Sequence, residues 1–248
     1  MSHSHIPSDS KPLKPVVSNA SARGSVADRL GAYISKRVLA AFVLFGLMSF
    51  GFLWLAHEVR GNDTLIFDEW VLWHIHAMSR PGLDTFVRAF TELGGVLFVP
   101  AITLFVVWYF VKQYSLSHGL LILFGVGGSS LLNLVLKSYF SRARPELWDR
   151  IVVEHSFSFP SGHAMASAAL TASVVAALWY TRHRNRAISL GIVYITGIAF
   201  TRMYLGVHYP TDILAGWAVS IAWVCVVFAV FARSPQHTPV TEANARDT

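Results

Sequence analysis

Six apolar runs, at 38–56, 95–111, 120–140, 164–180, 187–205 and 213–232, constrain this chain more than any other feature of its sequence. Each has about the length a helix needs to cross a hydrocarbon layer of about 30 Å at about 1.5 Å per residue. The composition agrees, with 54% hydrophobic and only 14% charged residues, where a soluble domain carries about 25% charged. The expected fold is therefore all-α, a six-transmembrane-helix bundle. A single cysteine, Cys225, lies within the last run, which excludes an intrachain disulfide and any thiolate metal cluster. The net charge of +6 could suggest a nucleic-acid partner. Most Lys and Arg instead sit in short segments between the runs, as topology signals do, so no nucleic acid is expected.

The rest of the chain organises around these runs. Residues 1–30 are rich in Ser, Pro, Lys and Ala without periodicity and are expected to be a disordered cytoplasmic tail. No early basic region leads into an apolar core, so no signal peptide is expected. Residues 31–233 form the six-span domain, and 234–248 a second cytoplasmic tail. Between spans one and two, segments 67–73 and 83–90 are expected to form short amphipathic interfacial helices broken at Pro81, with Trp70 and Trp73 at the membrane surface. His3 and His5 fall in the tail. His74 and His76 are two apart, and on a helix such residues point to different sides, so no metal is assigned to them. Gly125, Gly127, Gly128, Ser129 and Ser130 lie mid-span, where small residues let helices pack closely. Lys36, Arg37, Lys112, Arg182, Arg184 and Arg186 put the basic excess on the side of both termini. That side is then cytoplasmic, in a bacterial inner membrane.

The chemistry gathers on the opposite face. Phe159-Pro160-Ser161-Gly162-His163 closes a polar loop and opens the fourth span. Serine caps helices, and a helix N-terminus presents unpaired N–H groups and positive dipole charge to an anion. Gly162 admits a ligand close to the backbone, and His163 titrates near neutral pH. Lys137 ends the third span and Arg144-Pro145 follows it. Arg202 lies near the outer end of the fifth span, and His208 and Asp212 flank the turn into the sixth. Ionisable groups near bilayer depth are costly and default to functional candidates. Three cations, two histidines and an aspartate at one helix N-terminus suit phosphate chemistry. Taken singly, Lys137 and Arg144 would pass as interfacial anchors, and Arg142 and Arg150, which hold no motif position, are assigned that role.

The pattern Lys137-x6-Arg144-Pro145, Pro160-Ser161-Gly162-His163 and Arg202-x5-His208-x3-Asp212 resembles the signature of the type 2 phosphatidic acid phosphatase (PAP2) superfamily. That superfamily contains membrane lipid phosphatases and vanadium haloperoxidases. One departure is Thr201, where the family usually has serine. The resemblance implies a catalytic set of His208 as nucleophile, Asp212 as its hydrogen-bond acceptor and His163 as general acid. It implies a phosphate-binding set of Lys137, Arg144, Ser161, Gly162 and Arg202. Three cations then take the part a metal plays elsewhere, so no metal and no cofactor is expected. The implied activity is metal-free hydrolysis of a terminal lipid phosphate through a phosphohistidine, with the bilayer and a lipid phosphate as partners and the site on the extracytoplasmic side. Undecaprenyl diphosphate, phosphatidylglycerophosphate, phosphatidic acid and lipid A phosphates are the implied substrate types, undecaprenyl diphosphate or a broad range being favoured. Two alternatives remain, a vanadate-dependent haloperoxidase-like enzyme and a non-catalytic lipid-binding or transport protein.

Overall fold

The computed structural model describes residues 26–61, 66–149, 152 and 154–231, with side chains from residue 38. Among the described residues there are eight α-helices, one 3₁₀ turn and no strand. Helix α1 (Val26–Arg60) is apolar over Val38–Arg60. It takes in residues 26–30, which were expected to belong to the tail. The remainder of that tail lies outside the described residues, as do residues 234–248, His3, His5 and Arg150.

Two short helices follow, α2 (Ile66–His76) and α3 (Pro81–Thr91). Pro81 starts α3 rather than merely separating the pair: its fixed φ suits a first helical turn, where a missing N–H costs nothing. In α2 the buried residues are Asp68, Leu72 and Ile75, at helical spacing, while Trp70 and Trp73 face outward. A 3₁₀ turn at Glu92–Gly94 leads into α4 (Phe98–Gln113). Then come α5 (Leu116–Phe140), α6 (Gly162–Ala177), α7 (Arg184–Tyr204) and α8 (Pro210–Phe231).

Helix α6 is the axis, packed against α5, α7 and α8; α1 lies on α8, α4 on α5, and α2 and α3 on α7. The bundle is apolar outside, and its interior mixes large apolar side chains with small and polar ones. Phe42, Phe50, Leu131, Leu190 and Val193 face outward, whereas the Ser129 and Ser220 hydroxyls meet at 2.9 Å and Ser220 donates to the Met165 carbonyl at 3.1 Å. Lipid tails are as apolar as leucine, so close contact and interhelical hydrogen bonds drive the packing. A Cβ on Gly125 would fall 2.1 Å from Ser173 Oγ, and one on Gly128 would fall 2.3 Å from the Trp223 ring. Those two glycines allow contact as expected. Gly127 has nothing within 4 Å, and Ser130 turns back to its own Val126 carbonyl, so neither serves the contact.

Four helices are long and apolar enough to cross a membrane: Val38–Arg60, α5, α7 and α8. The bent pair Pro81–Gly94 and Phe98–Gln113, at 48°, raises the number to five. The protein is therefore a multi-pass membrane protein. The fourth expected span, α6, has 16 residues, about 24 Å at 1.5 Å per residue. Its Ala- and Ser-rich sequence faces neighbouring helices rather than lipid, with Ala164, Ser167, Ala168, Ala169 and Ser173 all buried.

Candidate active site

The long connection between α5 and α6 folds back over the first turns of α6 and α8. Ser141, in the left-handed conformation at φ 48°, ends α5 and turns the chain. The loop re-enters through a cis Phe159–Pro160 peptide. Ser161 then caps α6, its hydroxyl oxygen accepting from the Ala164 N–H at 3.5 Å, and the Ser161 N–H donates to the Asp212 carbonyl at 3.1 Å. The hydroxyl proton of Ser161 is not consumed by the cap. Asn133 of α5 holds this corner, donating to the Pro160 carbonyl at 3.1 Å. A Cβ on Gly162 would lie 3.1 Å from Asn133 Oδ1, so the close approach Gly162 permits is already used by Asn133.

His208 is 1% exposed. On one side its Nδ1 lies 3.4 Å from Asp212 Oδ2, and on the other Arg144 Nη1 lies 3.2 Å from Nε2. A carboxylate facing Nδ1 and a guanidinium N–H facing Nε2 assign the proton to Nδ1 and the lone pair to Nε2. Burial pushes the imidazole well below its ordinary pKa, and Arg144, Arg202 and Lys137 add to that push. The ring is neutral at pH 7, with the lone pair on Nε2. Asp212 Oδ2 also accepts from the Ser158 hydroxyl at 2.5 Å and the Tyr209 N–H at 2.9 Å.

Arg144 is buried and held by carbonyls, with Nε on Ser156 and Nη1 on Val207, both at 2.7 Å. Lys137 Nζ donates to the Phe157 carbonyl and, at 3.2 Å, to the Ser156 hydroxyl. Arg202, 2% exposed, donates from Nη1 to Thr91 Oγ1 at 3.1 Å and from Nη2 to Glu154 Oε1. Its Nε is buried without a hydrogen-bond partner. Glu154 Oε2 lies 3.8 Å from Arg144 Nη2, so this carboxylate bridges two of the expected phosphate-binding arginines. His163, at the second residue of α6, is within electrostatic reach of Arg202, His208, Glu154 and Lys137. All eight expected site residues thus fall in one place. Among the described residues, no three His, Cys, Asp or Glu side chains form a group that could hold a metal ion.

Sequence reasoning overlooked several participants. Arg142 is not an interfacial anchor: its guanidinium reaches Asp212 Oδ1 at 2.6 Å and Asp68 Oδ2 at 3.0 Å, because the loop turns inward after Ser141. Asp68, fully buried on α2, carried one readable signal, an acid on the helix face that also bears Leu72 and Ile75. Ser158, Glu154, Asn133 and Thr91 carried none, since their partners are distant in sequence.

Comparisons with known proteins point to one family. The family model described as the PAP2 superfamily matches residues 118–236. Phosphatidylglycerophosphatase B of Bacillus subtilis (strain 168) is 30% identical over 178 residues, covering 68% of this chain and 86% of the relative. Undecaprenyl-diphosphatase BcrC of the same organism is 30% identical over 156 residues, covering 59% of this chain and 75% of the relative. The crystal structure of the transmembrane PAP2-type phosphatidylglycerolphosphate phosphatase from Bacillus subtilis aligns with a TM-score of 0.65 at 28% identity, over 77% of this chain and 94% of that one.

Proposed function

Since this chain belongs to the PAP2 superfamily, we propose that it cleaves lipid phosphates by transfer of the phosphoryl group to His208. The protein is a membrane lipid phosphatase, a phosphoric ester hydrolase. In the first step His208 Nε2 attacks phosphorus and the bond to the leaving oxygen breaks, with His163 giving that oxygen a proton. Asp212 accepts from Nδ1–H and stabilises the positive charge that the ring acquires. Lys137, Arg144, Arg202, the Ser161 hydroxyl and the α6 N-terminus hold the equatorial oxygens. In the second step water attacks the phosphohistidine, His163 takes the water's proton, and inorganic phosphate leaves as His208 recovers its lone pair. Neither step calls for a metal.

The observation that carries this reading is the setting of His208, a buried imidazole between a carboxylate and a guanidinium. Six spans with both termini cytoplasmic fit the basic turns at Lys112 and at Arg182, Arg184 and Arg186. In that topology α6 is the fourth span, short because other helices surround it, and the site faces the extracytoplasmic side near headgroup level. The substrate is a lipid phosphate or diphosphate of the phosphatidylglycerophosphate or undecaprenyl diphosphate type, its tail remaining in the bilayer. Phosphate release from these lipids and phosphatidic acid, by purified protein in detergent with excess chelator, tests the mechanism. Release that survives the chelator and is lost in His208→Ala is expected. Release indifferent to His208 would overturn the mechanism, and release abolished by the chelator would overturn its metal independence.

A further inference from the structure

Asp212 can serve His208 only if it stays ionised and keeps Oδ2 turned toward the ring. Its other oxygen, Oδ1, is taken by Arg142 Nη1 at 2.6 Å. The same nitrogen donates to Thr211 Oγ1 at 2.9 Å, while Nη2 donates to Asp68 Oδ2 at 3.0 Å. Asp68 also takes the first turn of α8, accepting from the Thr211 N–H at 3.0 Å and the Thr211 hydroxyl at 2.7 Å. The plane of the guanidinium is set by the Tyr209 ring, 4.1 Å from Arg142 Cζ. Asp68 and Asp212 are each fully buried, and one arginine, 11% exposed, lies between them.

We propose that Arg142 and Asp68 are positioning residues for phosphoryl transfer: Arg142 keeps Asp212 charged and aimed at His208, and Asp68 of α2 fixes Arg142. This rests on the assignment of His208 and Asp212 made above. The charged groups around Asp212 are Arg142 from the loop, Asp68 from α2, His208 from the α7–α8 turn and Lys137 from α5, with His163 of α6 beyond His208. Removing Arg142 strands two carboxylates a few ångströms apart in a buried place. Like charges so placed do not both stay ionised, and one binds a proton. A protonated Asp212 no longer accepts from Nδ1–H.

The pairing predicts a pattern that simple loss of packing does not. Arg142→Met keeps volume and removes charge, so kcat should fall at least about tenfold with KM nearly unchanged, as for an interaction made in the transition state. The acid limb of its pH–rate profile should move to higher pH. Arg142→Lys should recover part of the loss. Asp68→Asn with Arg142→Met should be more active than Arg142→Met alone, because only one buried carboxylate remains, a coupling that a double-mutant cycle measures. Asp68→Asn alone should lower kcat less than Arg142→Met does.

The test is full-chain protein in detergent with a lipid phosphate substrate, His208→Ala in parallel, and elution and thermal unfolding recorded for each variant. Should Arg142→Met fail to fold, Arg142→Lys and Asp68→Asn carry the same test through kcat and the pH profile. A raised KM with unchanged kcat would make Arg142 a phosphate ligand and overturn the inference. So would an unmoved acid limb, or a double variant no better than Arg142→Met. Activity retained in His208→Ala would overturn the phosphohistidine reading itself, a separate result.

Discussion

Glu154 pairs with two of the arginines proposed to hold the substrate phosphate, and neutralising it should tighten phosphate binding. Its two oxygens engage Arg202 and Arg144. Burial raises its pKa, but Arg202, Arg144 and His163 outweigh that and hold the carboxyl below its usual range. It is therefore ionised throughout the neutral range, and on the proposed assignment it would compete with phosphate for the same N–H groups. Hydrogen bonds to charged groups contribute about 1.5–3 kcal/mol. The Glu154 side chain is 28% exposed, so solvent screening places the contribution at the low end. Glu154→Gln should then bind inorganic phosphate and orthovanadate about tenfold more tightly, the equivalent of about 1.4 kcal/mol. The assay is the competitive inhibition constant of each anion against a lipid phosphate, alongside kcat and KM, from pH 5 to 8. The depressed pKa sets the sign: the carboxylate's ion pairs are present above its ordinary pKa and lost as pH falls through the lower folded value. The difference between wild type and variant should therefore persist across the range and narrow only in stronger acid. Inhibition constants that are unchanged or weaker in Glu154→Gln would refute the reasoning and make Glu154 a strut that keeps two arginines together.

Other outcomes follow from the packing and the charges. Gly128→Ala places a methyl 2.3 Å from the Trp223 ring, whose indole N–H donates to the Phe124 carbonyl at 2.9 Å. Overpacking of this kind costs about 1–3 kcal/mol, so the melting temperature in detergent should fall, while Gly127→Ala, which meets nothing and replaces a helix-interior glycine, should not lower it. Thr91→Val removes the hydroxyl that accepts from Arg202 Nη1 and Thr201 Oγ1, each at 3.1 Å. Arg202 Nη1 is then left without that partner, at a cost of about 1–3 kcal/mol, read as a raised KM, whereas Thr201 keeps its bond to the Ile198 carbonyl at 2.7 Å. His208 is buried neutral with its pKa pushed down, so below about pH 6.5 the unfolded chain takes up a proton that the folded one does not. Unfolding temperature should fall as pH drops from 7 to 5, and less steeply in His208→Asn.

The long apolar helices and the three motif blocks were legible because both depend on local order. Length and apolarity report a span, and the intervals between Lys137 and Arg144 and between Arg202, His208 and Asp212 are short. The partners of those residues were not legible, since they come from far along the chain. Asp68 meets Thr211 across 143 positions, and Thr91 meets Arg202 across 111. No periodicity encodes such a meeting; it follows from how α2 and α3 lie on α7 and α8. Arg142 was misread because, apart from its inward-turned loop, an arginine near a membrane face looks like any anchor. Within segment 57–92, Asp68 and Thr91 are buried and reach Arg142, Thr211 and Arg202.

Helix α2 shows Trp70 and Trp73 on one face and Asp68, Leu72 and Ile75 on the other. It is a lever with its outer arm in the surroundings and its inner arm on the carboxylate behind His208. A force that rolls or lifts this helix is felt at Asp68, then at Arg142, then at Asp212. On the positioning role proposed for Asp68 and Arg142, the same polypeptide should turn over at different rates in thin and thick bilayers without any change in the groups that touch phosphorus.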